Sequence, residues 1–294
     1  MPDAKSSPSS NGIPVVRTFV PEQWGQLDIF TKFYLGTYAL NDDVRKALAG
    51  ISSHFHKATI LFDLARKLIP NLALDESQLR SHGFTPAANS KEFSAVVEGV
   101  FLELYSAVDC SRKVIVATHR NCRRVPDSTR KMMQRAKDGS IGSDFPRPLI
   151  EAMVAAVWYE RLLFIRDTLT HSDVGSCRQD PKTGFVSYSH FSMRESGQPL
   201  NIPDVMTALQ DLSAGVNEFL GKVFHYLNGT LRPHEIDQLC GIFFGRGYLR
   251  KLRSDEPINL DAGVCSSRSW FLSEEGYMCP LADSCKAFHR APAT

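Results

Sequence analysis

What this chain has little of narrows its class first. No apolar run in its 294 residues approaches the roughly 20 that a membrane-crossing helix needs, so no membrane partner is expected. An excess of one charge is missing too: 34 Lys and Arg face 32 Asp and Glu, leaving a net charge of +2. A surface of that kind is not a broadly basic field, so any nucleic-acid site has to come from local clustering. Cysteine is sparse and odd in number, seven in all, with no signal-peptide pattern ahead of it. That usage points to a reduced, cytoplasmic protein and away from a disulfide scaffold. Several catalytic signatures are also absent. There is no Walker-type phosphate loop, no GxGxxG after a strand, no HExxH and no GxSxG. Gly245-Arg246-Gly247 is too short to cradle a phosphate by itself.

What is present is enough apolar surface for a real core: 43% hydrophobic residues and 10% aromatics. The length suggests one larger domain and one small one. Residues 1–16, with SSPSSNG near their centre, form a polar tail with too little apolar surface to order itself. A helical pattern begins at Trp24 and carries Leu27, Phe30, Tyr34 and Tyr38 on one face. It breaks at Asn41-Asp42-Asp43 and resumes at Val44. An amphipathic run from Ile60 to Leu68 stops at Pro70. His54 and His56, just before it, are expected at the surface. Asn71–Asn89 reads as a loop, with a short helix over Glu76–Ser81.

Two segments organise the rest. Ser90–Thr118 repeats apolar residues at Phe93, Val96, Val97, Val100, Leu104 and Val108, a long amphipathic helix with Ser90 as its N-cap. Pro148–Asp173 places Val154, Trp158, Leu162, Ile165 and Leu169 on one face, a second long helix started by proline, with stop signals at Ser172–Gly175. At its exit stand Arg166, Asp167 and His171. Asp167 and His171 are four apart and share a helix face, so the acid can orient the imidazole while its other nitrogen moves a proton. An acid there opposes the helix dipole, at a cost of roughly a few tenths of a kcal/mol.

The run RDTLTH, Arg166 to His171, resembles the R-polar-x-x-x-H motif of the HEPN superfamily of helical ribonucleases and nucleotide-binding domains. The resemblance covers about residues 90–227. It implies a metal-independent endoribonuclease acting as a homodimer, in which two copies of Arg166 and His171 meet. His171 would do acid and base work, Arg166 would stabilise phosphate charge, and Asp167 would orient the pair, with no cofactor for catalysis. It also implies a setting in toxin–antitoxin systems or antiviral defence, with an inhibitory antitoxin as partner.

Between Cys110 and Lys137 nine Lys or Arg face one acid, Asp127. Arg112, Lys113, Arg120, Arg123, Arg124 and Arg130 are the candidates for RNA phosphate contact. The alternative is an ordinary charged surface. Past the motif, Cys177–Leu200 is β-like around the turn Asp180–Gly184 and predicts a two-stranded hairpin. Pro203 then opens a last helix carrying Val205, Leu209, Leu212, Val216, Phe219, Leu220, Val223 and Leu227.

The expected fold is therefore mainly α: a bundle of four to five long helices over residues 17–230, with a small hairpin insertion. Residues 231–294 make a separate Cys/His module that begins with a short helix over His234–Arg253. Its end, FFGRGYLRKLR, mixes aromatics with cations and suits base stacking beside phosphate. Cys279-x5-Cys285-x3-His289 is similar to the last three ligands of CCCH-type zinc fingers. Cys265 is the candidate first ligand, across a gap of thirteen residues that is longer than those fingers use. The four would close a structural zinc site; otherwise the three cysteines are packed thiols. Two readings compete with the ribonuclease. One is a non-catalytic helical adaptor in which Arg166 is a salt-bridge partner. The other is a nucleotide- or RNA-binding protein that uses the basic segment and the zinc-stabilised tail.

Overall fold

The computed structural model describes residues 16–17, 19–123, 125–170 and 174–290, and it is mainly α. Apart from Val16, the expected tail lies outside the described residues. The chain makes two compact units. One is Leu40–Tyr226; the other joins Met1–Ala39 to Leu227–Thr294.

Strand β1 (Val16–Arg17) and helix α1 (Gln26–Phe33) come first in the chain and belong to the second of these units. Helix α2 (Asp42–Leu68) opens the other unit. Asn41 is its cap, the side-chain oxygen accepting the Val44 amide at 3.0 Å, so the expected break is a helix start. The helix runs unbroken through His54 and His56. Helix α3 (Leu72–His82) replaces most of the loop expected there, and Gly83, at φ +70°, closes it in the left-handed conformation that glycine adopts without strain.

Helix α4 (Ala88–Thr118) is the long helix expected from Ser90, started two residues earlier. Ser90 is not its cap. Its hydroxyl donates to the Cys177 carbonyl at 2.7 Å and accepts the Cys177 amide at 3.0 Å, tying the helix start to a strand. Helices α2 and α4 pack antiparallel, with Gly50 beside Cys110, His54 and Lys57 bonded to Glu103, and Leu61 beside Gly99. Ala47, Ala58 and Ala65 are buried on α2, and Phe93, Val97, Val100 and Leu104 are buried on α4.

Helix α5 (Thr129–Lys137) follows, then α6 (Arg147–Ala155) and α7 (Tyr159–Leu169). The single helix expected over Pro148–Asp173 is thus two. Ala156, at ψ 62°, leaves the helical conformation. The break turns Trp158 onto a helix further along the chain, edge-on to Phe219 and against Gly215, and lets Tyr159 bury itself beside Tyr105. Val154, expected on the buried face, is 46% exposed; Met153 and Ala156 are buried instead.

Strands β2 (Ser176–Gln179), β3 (Val186–Glu195) and β4 (Gln198–Ile202) form an antiparallel sheet in that order. The turn at Asp180–Gly184 is where the sequence placed it. A second turn, Ser196-Gly197 with both φ positive, adds a third strand to the expected two. Helix α8 (Val205–Asn228) carries its expected apolar face and starts at Asp204, whose carboxylate accepts the Thr207 amide at 3.2 Å.

The other unit departs most from expectation. In place of a helix, residues 234–253 hold strands β5 (Glu235–Phe243) and β6 (Arg246–Arg253), joined by Phe244-Gly245 at φ 51° and 71°. Two consecutive left-handed residues make the tight turn that matches strand twist, and alternate residues Tyr248, Arg250 and Leu252 face inward. Strand β7 (Val264–Cys265) completes the order β1-β5-β6-β7. Helices α9 (Arg268–Ser273) and α10 (Lys286–His289) follow. One apolar cluster gathers Phe19, Phe33, Leu252 and Ala262; another gathers Phe243, Tyr248, Phe271 and Phe288.

Candidate active site and cysteine cluster

In the Leu40–Tyr226 unit, Arg166 sits in the last turn of α7 with its side chain 40% exposed. One guanidinium nitrogen donates to Asp167 at 2.8 Å, and the group lies over the Tyr105 ring of α4 at 4.8 Å. The hydrogen bond to Asp167 raises the Arg166 pKa above its ordinary value, with burial opposing it and Tyr105 adding to it. The other Asp167 oxygen is 3.7 Å from Arg130 of α5. One turn along α4 from Tyr105, Asp109 accepts the Thr129 hydroxyl and lies 3.9 Å from Arg112. Beneath them Tyr105 stacks on Tyr159, whose hydroxyl is held far above the usual phenol range, chiefly by burial.

The fold therefore gathers Arg166, Asp167, Arg130 and Arg112 where α4, α5 and α7 meet. His171 and Arg124 lie outside the described residues. Lys113, Arg120 and Arg123 are exposed. Lys137, in the same basic segment, is 3.0 Å from Glu160. Arg166 and Arg130, on either side of Asp167, are the open cations of this group, while the Arg112 side chain is 13% exposed and faces Asp109.

Two further acids of α4, Glu98 and Glu103, have partners elsewhere. Glu98 is buried and accepts the Gly175 amide at 2.6 Å and the Tyr188 hydroxyl at 2.8 Å. Glu103 bonds His54 and Lys57 of α2. His54 is thus paired and His56 exposed, while His190 is buried against Tyr188.

In the other unit the proposed zinc ligands fare unequally. Cys265, Cys279 and Cys285 line one closed cavity of about 10 Å³, together with Cys240 and the buried Arg250. His289 does not line it. Its Nε2 is 2.8 Å from the Ala282 carbonyl oxygen and the residue is exposed. Burial pushes the Cys279 thiol up to about 11, and the other three thiols add to the shift. Cys265 is raised for the same two reasons. Cys240 and Arg250 were missed by sequence reading. The signal for Arg250 was its place between Tyr248 and Leu252 in an alternating inward row, hidden by the expectation of a helix.

No family model matches the chain, and neither a curated protein nor a solved structure matches it.

Proposed function

We propose that the chain is a metal-independent endoribonuclease of HEPN type, acting at the end of α7 through Arg166, Asp167 and His171. The observation that carries this reading is the placement of Arg166: half-exposed at the helix exit, fixed by Asp167 and the Tyr105 ring, with Arg130 on the other oxygen of Asp167. A guanidinium held in this way is ready for a phosphodiester without further ordering.

In the reaction the ribose 2′-OH attacks the adjacent phosphorus. Its proton passes to an imidazole, and the bond to the 5′-oxygen breaks as a second imidazole protonates that leaving group. The products are a 2′,3′-cyclic phosphate and a 5′-OH. Arg166 offsets the charge that builds on the non-bridging oxygens. Asp167 holds Arg166, and His171 is assigned the proton transfers. One imidazole cannot be base and acid in a single step, so a homodimer pairs two copies of the motif.

The test is cleavage of labelled single-stranded RNA in EDTA by the wild type, Arg166→Ala and His171→Ala, each checked for folding by circular dichroism. Loss of at least about 100-fold in both variants is expected, the usual size of an acid–base or oxyanion contribution. Cleavage indifferent to both would refute the assignment. One observation favours a second reading: the pairing of Arg166 with Asp167, and of Asp167 with Arg130, also suits a helical adaptor in which the charges only close α7 onto α5. That reading expects no cleavage by the wild type.

A further inference from the structure

We propose that Cys240, Cys265, Cys279 and Cys285 together hold one Zn²⁺ ion as four thiolates, around the closed cavity they share. This set drops His289, which the spacing of the tail suggested, and takes in a cysteine from a strand twenty-five residues before Cys265.

Four separate elements bring these thiols together. Cys240 sits where the β5–β6 register shifts between Leu239 and Gly241, a bulge that re-aims a side chain. Cys265 is on β7, opposite Arg250 of β6. Cys279 precedes a tight turn closed by the Ala282 amide on its carbonyl at 2.9 Å, and Cys285 leads into α10.

A buried cation faces two of these sulfurs. Arg250 is 1% exposed, and one of its nitrogens reaches Cys240 Sγ at 3.2 Å and Cys285 Sγ at 3.5 Å. The other donates to the Leu260 and Ala262 carbonyls at 2.9 and 3.0 Å, with the guanidinium 4.0 Å over the Phe19 ring. No carboxylate among the described residues pairs with it. A guanidinium buried without a counter-charge is costly. Neutral thiols supply none, whereas four thiolates on a divalent ion leave two negative charges, of which Arg250 neutralises one.

The cavity selects the ion. About 10 Å³ is on the order of one water-sized sphere, room for a single ion. Four thiolates in a tetrahedron suit zinc. Among the described residues no three potential ligands are close enough to hold a metal as they lie, so the proposal requires the four sulfurs to close on the ion when it binds. The closed site ties β5, β7 and the 279–285 segment, which has few large aliphatics, into one module.

The experiment is elemental analysis of the full chain purified without chelator, alone and after addition of ZnCl₂ and desalting. Equimolar zinc is expected in the wild type and in His289→Ala, and its loss in Cys240→Ser. Because Cys240→Ser can fail to fold, the wild type is also exchanged with Co²⁺, whose visible spectrum distinguishes an all-sulfur tetrahedron from one containing nitrogen. Zinc lost from His289→Ala and kept in Cys240→Ser would overturn the four-cysteine set, as would a cobalt spectrum with nitrogen coordination. Wild type that takes up no zinc, or that carries iron and sulfide, would overturn the site.

Discussion

Glu103 shows how a single side chain couples this fold to pH. Its carboxylate is 12% exposed, and burial alone would raise its pKa; the bonds from His54 at 2.6 Å and from Lys57 outweigh that and hold it below the ordinary value of 4.5. A carboxyl whose folded pKa is depressed contributes stability that is full above the unfolded value and is lost as pH falls through the folded one. Urea midpoints measured from pH 6 downward are therefore expected to hold until about 4.5 and then decline, with a shallower decline in Glu103→Gln. Equal slopes in the two proteins would show that the α2–α4 ion pair contributes nothing. Glu98 is a buried acceptor that satisfies a backbone amide and a tyrosine hydroxyl, and its role is to place the β2–β3 end against α4.

At the scale of elements, the junction that decides the geometry of the candidate site is the break between α6 and α7. It depends on α8 presenting no side chain under Trp158. A Cβ on Gly215 would lie 2.6 Å from the indole nitrogen, whereas one on Gly221 of the same helix would meet nothing within 4 Å. Overpacking costs about 1–3 kcal/mol, and Gly to Ala inside a helix returns up to about 1 kcal/mol. Gly215→Ala is therefore expected to destabilise by about 1 kcal/mol and to alter the Trp158 fluorescence, while Gly221→Ala stabilises by up to about 1 kcal/mol. If the two variants unfold at the same urea concentration, the indole is not what holds the break.

For the whole molecule the relevant quantity is charge distribution, since a net +2 gives little long-range attraction for RNA. Binding would then depend on the segment around Arg112–Arg130, and each phosphate neutralised contributes roughly 0.7 to the slope of log affinity against log salt for a single strand. Replacing Arg120, Arg123 and Arg130 by Ala is expected to lower that slope by about 2. Removing Arg45, Lys46 and Lys67 from α2 should leave it unchanged. Equal effects from the two sets would mean that RNA is held by overall charge and not by this surface.

The sequence by itself determined the elements whose signals are local. The apolar periods of α4 and α8, the Asn41 start of α2 and the turn at Asp180–Gly184 are where the pattern put them, because side-chain spacing, caps and turn residues act within a few positions. Tertiary structure decided the rest. The α6–α7 break depends on a glycine more than fifty residues away, and the run from Glu235 to Arg253 became a hairpin because its inward row, Tyr248, Arg250 and Leu252, has a sheet and two apolar clusters to face. The meeting of Cys240 with Cys265, Cys279 and Cys285 follows from a bulge and strand pairing, which no spacing along the chain encodes.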